Sequence, residues 1–124
     1  EAVWVPHGEG ALDEITPTGT TWVAELKDGQ VTTFEIEPED AGVKRHSLEE
    51  LKGGDADYNA RALRAVLAGE HNAFRDAAVM TAGAALLVAG KATDLKDGVA
   101  QAEAAIDSGA AMQVLDKLVE VSNT

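Results

Sequence analysis

A chain of 124 residues is the size of one domain or of part of one. Its 22 Asp and Glu against 10 Lys and Arg leave a formal charge of −12 at pH 7, which excludes nucleic-acid or anionic-membrane binding driven by net charge. With 45% hydrophobic residues it is too apolar for a disordered tail, and without cysteine it has no disulfide, thiolate metal site or cysteine nucleophile.

In chain order, Ala2–Val5 is a short apolar run that reads as a strand buried on both faces. Pro6-His7-Gly8-Glu9-Gly10 interrupts it, and Ala11-Leu12-Asp13-Glu14-Ile15 follows as a tight connection. Thr16-Pro17-Thr18-Gly19 is a turn cluster. Thr21–Leu26 and Gln30–Ile36, rich in β-branched and aromatic residues, flank Lys27-Asp28-Gly29 and predict a hairpin. Trp22 and Val23 are neighbours and face opposite ways, which leaves its buried face open.

Beyond Pro38 the pattern turns helical. Ser47-Leu48-Glu49-Glu50 is a capping box, and Gly53-Gly54 closes that helix. Asp55 caps Ala56–Ala68, with Ala60, Leu63, Val66 and Leu67 on one face. Asn72 caps Ala73–Ala89, whose only charges are Arg75 and Asp76, so other elements must cover most of its circumference. Its apolar run, Ala77–Ala89, is shorter than the roughly 20 residues of a membrane span. Asp94 starts a helix with Leu95, Val99, Ala102 and Ile106 as its stripe, and past Ser108-Gly109 another carries Met112, Leu115 and Val119. The opening Glu1-Ala2-Val3-Trp4-Val5 reads as a strand already under way, as in a fragment, and Ser122-Asn123-Thr124 reads as a terminus. Residues 1–45 form the strand-rich part of the chain and 46–124 its helical part.

Asp13-Glu14 is the candidate chemical site. The pair follows a strand, and in open α/β sheets ligands gather beyond the carboxyl ends of strands. Mg²⁺ takes hard oxygen ligands, typically one or two carboxylates, and completes its shell with water and substrate phosphates. Acids beside a turn also cap local amides or face solvent, so spacing alone leaves both readings open. His7, His46 and His71 are too scattered for a zinc site. His7-Gly8-Glu9-Gly10 matches neither the dinucleotide fingerprint nor the P-loop. Arg61 and Arg64 read as a solvated face paired with Asp57. No nucleophile stands out.

Around that pair the strings become specific. His7-Gly8-Glu9-Gly10-Ala11-Leu12-Asp13-Glu14-Ile15, Thr16-Pro17-Thr18-Gly19-Thr20-Thr21 and Val23-Ala24-Glu25-Leu26 come first. Pro38-Glu39-Asp40-Ala41-Gly42, Ser47-Leu48-Glu49-Glu50-Leu51, Gly53-Gly54-Asp55 and Leu63-Arg64-Ala65-Val66-Leu67-Ala68-Gly69-Glu70 follow. Arg75-Asp76, Ala89-Gly90-Lys91-Ala92 and Ala105-Ile106-Asp107-Ser108-Gly109-Ala110-Ala111 complete an ordered set. The set resembles the carboxy-terminal part of the anthranilate phosphoribosyltransferase family. The resemblance implies a partial α/β domain of the nucleoside phosphorylase/phosphoribosyltransferase type, its sheet incomplete and exposing an edge or apolar patch. It implies transfer of a phosphoribosyl group from phosphoribosyl pyrophosphate to anthranilate in tryptophan biosynthesis, in a cytoplasmic, Mg²⁺-dependent homodimer that engages neither nucleic acid nor membrane. It places the family's metal pair on Asp13 and Glu14.

The family's Gly-Thr-Gly-Gly-Asp and Lys-His-Gly-Asn strings are absent, so no catalytic or substrate-binding residue carries over and the isolated chain is expected to be inactive. Ala11 stands where the family usually has Gly, and Thr81 where it often has Asn. A non-catalytic binding module and a related nucleoside phosphorylase are the competing readings; the Leu-Asp-Glu context argues against the phosphorylase.

Overall fold

The computed structural model describes residues 2–124. Three strands, β1 (Ala2–Gly8), β2 (Thr21–Lys27) and β3 (Gln30–Ile36), form an antiparallel sheet in the order β1-β2-β3. The β2–β3 hairpin pairs Lys27 with Gln30 across a two-residue loop. Both loop residues have positive φ, Asp28 at 51° and Gly29 at 78°. That is the primed turn whose twist matches the strands it joins.

β1 corrects the sequence reading twice. It continues through Pro6 to Gly8, because a proline at a sheet edge needs no ladder partner for its missing N–H. It is also not buried on both faces. Val3 and Val5 are exposed, and only the alternate side turns inward. Register explains this. Val3, Val5 and His7 lie opposite Leu26, Ala24 and Trp22 on the outer face, whereas Pro6 and Gly8 lie opposite Val23 and Thr21 on the inner one. Val23, Thr21 and Ile36 are buried there, and Trp4 meets Phe34 edge-on at 5.1 Å. Trp22 faces out, which settles the hairpin's orientation.

Two 3₁₀ turns, Pro38–Ala41 and Leu48–Leu51, lead to four helices: α1 (Ala56–Leu67), α2 (Ala73–Val88), α3 (Leu95–Asp107) and α4 (Ala110–Ser122). The Ser47–Glu50 capping box forms, but it opens one 3₁₀ turn rather than a helix. Asp55, Asn72 and Asp94 cap α1, α2 and α3 by accepting from the backbone N–H three residues on. α2 is the central helix, lying along α3 and reaching β1. Gly83 and Gly98 set that crossing: a Cβ on Gly83 would stand 2.7 Å from the Val99 nitrogen and 2.9 Å from the Gly98 carbonyl carbon. Met80, Val79, Val99 and Ile106 fill the core between the two helices.

Coverage of the helices is uneven. Ala78, Thr81, Ala82 and Ala85 leave one side of α2 exposed. α1 buries only Val66, with Ala60 and Leu63 of its expected face in solvent, and α4 buries nothing, its Val119 being exposed. An apolar stripe marks the side a helix offers and does not by itself supply a partner. No helix of the described residues is long and apolar enough to cross a membrane.

Candidate metal-binding loop

The segment between β1 and β2 carries Asp13 and Glu14 on a bend, both exposed, between a knot and a buried anchor. The knot is a reciprocal pair of backbone hydrogen bonds: Gly8 N–H to the Leu12 carbonyl at 2.8 Å and Leu12 N–H to the Gly8 carbonyl at 3.2 Å. Closing so short a loop takes two left-handed residues, Gly10 at φ 82° and Ala11 at φ 64°. Gly8 itself leaves no room for a side chain, since a Cβ there would lie 2.8 Å from the Glu14 carbonyl oxygen and 3.1 Å from Leu12 Cβ. The anchor is the buried run Ile15-Thr16-Pro17. Thr16 N–H donates to Thr21 Oγ1 at 3.1 Å, and the Pro17 carbonyl accepts from His46 N–H at 2.9 Å. Glu9 N–H donates to the Thr20 carbonyl at 2.8 Å, tying the loop's two arms together.

The knot answers the question of the glycine-rich string. The amides of Gly8, Glu9 and Leu12 are already spent on carbonyls of this loop, so they do not form a phosphate cradle. The carboxylates, by contrast, are uncommitted. The ion pairs of the described residues, among them Arg45–Glu37, His46–Asp76 and Arg75–Asp107, leave Asp13 and Glu14 out. Both acids border a cavity of about 390 Å³ whose other walls include Trp4, Pro6 and Ile15 of the strand-rich part and Thr81, Ala84 and Val88 of α2. Thr81 is thus brought to the acidic pair from a distant point of the chain.

These residues fit Mg²⁺ in a particular way. Two adjacent carboxylates are hard oxygen donors, and no cluster of three or more His, Cys, Asp or Glu among the described residues makes a closed metal site. Mg²⁺ binds commonly through one or two carboxylates, with phosphate oxygens and water completing the octahedron. Asp13 and Glu14 would supply the carboxylate share of such a shell.

The other candidates fall elsewhere. His7 lies on the exposed outer face of β1 with its ring 6.0 Å from that of Trp22. Arg64 reaches Asp116 on α4 at 3.4 Å rather than Asp57, and Arg61 is in solvent. His46, set aside in the sequence for want of other histidines, is the residue that reasoning missed. Its ring joins Asp76 Oδ2 (2.7 Å from Nε2) and Glu50 Oε1 (3.1 Å from Nδ1). The spacing His46–Glu50 was visible; Asp76, thirty positions on, was not.

An antiparallel sheet with helices packed on its inner face, and an acidic pair on the loop leaving its edge strand, make this a piece of an α/β domain. Residues 1–112 match the family model described as "Glycosyl transferase family, a/b domain", and the chain belongs to that family. It is 60% identical over 124 residues to the anthranilate phosphoribosyltransferase of Rhodopseudomonas palustris (strain BisA53), covering all of this chain and 37% of that protein. It is 58% identical to that of Azospirillum brasilense, covering 35% of it. Among solved structures, the Thermus thermophilus enzyme superimposes with a TM-score of 0.88 at 37% identity, over 99% of this chain and 36% of that one. The Saccharomyces cerevisiae enzyme in complex with PRPP and Mg gives 0.86 at 28% identity, over 98% of this chain and 35% of that one. The chain therefore spans little more than a third of the length of these relatives.

Proposed function

We propose that this chain is the metal-loop portion, in the carboxy-terminal third, of an anthranilate phosphoribosyltransferase. The observation that carries the reading is the pair of uncommitted carboxylates on a pinned loop, in a chain 60% identical to an enzyme of that name. The reaction breaks the bond between the anomeric carbon and diphosphate and forms one from that carbon to the anthranilate nitrogen, which gives up a proton. No covalent nucleophile is required, in keeping with a segment that offers none. When bound, Mg²⁺ supplies positive charge against the departing diphosphate. Asp13 and Glu14 offer the carboxylate oxygens that hold it, and the Gly8–Leu12 knot with the Thr16–Thr21 hydrogen bond fixes where those oxygens stand. The substrate cradle belongs to the rest of the enzyme. We accordingly expect the isolated chain to be inactive and the complete protein to be a cytoplasmic homodimer.

The test is Asp13→Asn with Glu14→Gln in the complete enzyme, which keeps shape and removes two charges. The Mg²⁺ concentration for half-maximal activity should rise and kcat/KM for phosphoribosyl pyrophosphate should fall, each tenfold loss being about 1.4 kcal/mol of transition-state stabilisation. KM for anthranilate should change little. Superimposable Mg²⁺ curves after correction for folded fraction would end the metal assignment, and no turnover of anthranilate by the intact wild-type enzyme would end the substrate assignment.

A further inference from the structure

The acidic loop is fixed to the sheet by its own hydrogen bonds, but its position relative to α2 needs a separate link, since Thr81 and Ala84 of that helix face the same cavity. Ile15 shares the apolar core with Val79, Met80 and Ala84 of that helix, and a directional polar connection is added through His46. The His46 backbone N–H holds the carbonyl of buried Pro17, three residues beyond Glu14. The His46 ring, with only 7% of its side-chain surface exposed, bonds Asp76 in the first turn of α2 and Glu50 in the 3₁₀ turn. Thr81 lies five residues further along α2, about 7.5 Å at 1.5 Å per residue. The ring therefore ties the arm that carries Glu14 to the helix that walls its cavity.

The hydrogen-bond chemistry makes the tie directional. Ionised carboxylates only accept, so Asp76 and Glu50 together call for an N–H on both ring nitrogens. A side chain whose donors all sit on one atom holds one carboxylate and releases the other. Release of Asp76 would leave the Ile15-Thr16-Pro17 anchor registered against α2 by non-directional apolar packing alone.

We propose that His46 is a positioning residue that sets the register of the Asp13–Glu14 loop against α2. The inference rests on the metal reading of that pair. Misplacement by about an ångström at a reacting centre is costly even when the cause lies far from the chemistry, so the latch should be felt at the metal without touching it.

The experiment uses the complete enzyme with His46→Gln, whose two N–H donors share one nitrogen and cannot face both carboxylates as the two ring nitrogens do, and Asp76→Asn, which keeps the histidine and weakens its partner. Two readouts are taken besides melting temperature. Mn²⁺ binding to the enzyme–phosphoribosyl pyrophosphate complex is followed by electron paramagnetic resonance, and amide hydrogen exchange is mapped over Leu12–Thr18 and over α3. Both variants should weaken Mn²⁺ binding roughly three- to tenfold, speed exchange at Glu14–Thr18, leave α3 exchange unchanged and leave KM for anthranilate unchanged. Mn²⁺ affinity and loop exchange equal to wild type in either folded variant would overturn the proposal, leaving His46 as a staple of stability alone. The Asp13→Asn/Glu14→Gln enzyme is run alongside. If it binds Mn²⁺ less tightly while the His46 variants do not, only the latch fails; if it binds as wild type does, the metal reading fails and the latch with it.

Discussion

At Ala11 a β-carbon occupies backbone space that glycine fills without strain: its φ is 64° in the turn that aims Asp13. The left-handed region costs an L-residue about 1–2 kcal/mol, and the greater freedom of glycine in the unfolded chain takes back about 0.4–1 kcal/mol. Ala11→Gly should therefore stabilise the protein by about 0.5–1 kcal/mol, read as a higher urea midpoint with an unchanged m-value. Gly8 has the opposite logic. Gly8→Ala presses a methyl against the Glu14 carbonyl, and the loop backbone has to move, at about 1–3 kcal/mol. A third residue contrast lies in the core. Arg75 is 1% exposed and bonds Asp107 at 2.8 Å, while its Nε and Nη1 have no partner among the described residues. Asp107, more than half exposed, is screened by water, so Asp107→Ala should cost about 1–2 kcal/mol by leaving the buried Arg75 cation less compensated, whereas Arg75→Met with Asp107→Ala should come out near neutral. Chemical denaturation of the three proteins measures both outcomes; equal losses in the single and double variants would show that the ion pair is not what matters there.

Between elements, the His46 latch has its own pH signature. Burial by itself would lower the His46 pKa, but the hydrogen bonds to Asp76 and Glu50 outweigh it and the net displacement is upward from 6.5. Its contribution is thus complete below 6.5 and fades as pH rises through the higher folded value. Glu50 is held down at about 2, first by the Ser47 amide and then by His46, so its contribution is complete above its ordinary 4.5 and fades as pH falls toward 2. Stability from the latch should plateau between pH 4.5 and 6.5, and His46→Gln should remove the decline on its alkaline side; thermal melts from about pH 4 to 9 read it directly. The elements themselves were largely legible. Asp28-Gly29 announced the hairpin because few residues tolerate two positive φ angles in succession, and Asp55, Asn72 and Asp94 announced three helix starts because each side chain satisfies a nearby amide. Asp13-Glu14 stands out in the string, but the residues that surround it in space do not. Thr81 lines the same cavity and Asp76 meets His46 only through the packing of α2, and pairing across such separations leaves no local mark in sequence. The burial of β1 is not legible, because Val3 and Val5 are apolar yet face outward, and apolar character records what a face prefers rather than what covers it.

For the molecule as a whole, what remains uncovered is as informative as the core. Val3, Val5, Trp22, Leu26 and Val31 stand on the outer side of the sheet, next to the outer edge of β1, which pairs with no strand among the described residues. The same chain carries a charge of −12. Two tendencies therefore oppose each other when this segment is handled by itself: an edge and face that favour strand-to-strand association, and a like-charge repulsion that holds copies apart. Only the second is screened by salt, with a screening length of about 10 Å at 0.1 M and 3 Å at 1 M. Light scattering of the isolated segment should accordingly show little association in dilute buffer and growing association as sodium chloride is raised, reversed by Val5→Lys. Salt would then act on this segment as a colloidal switch.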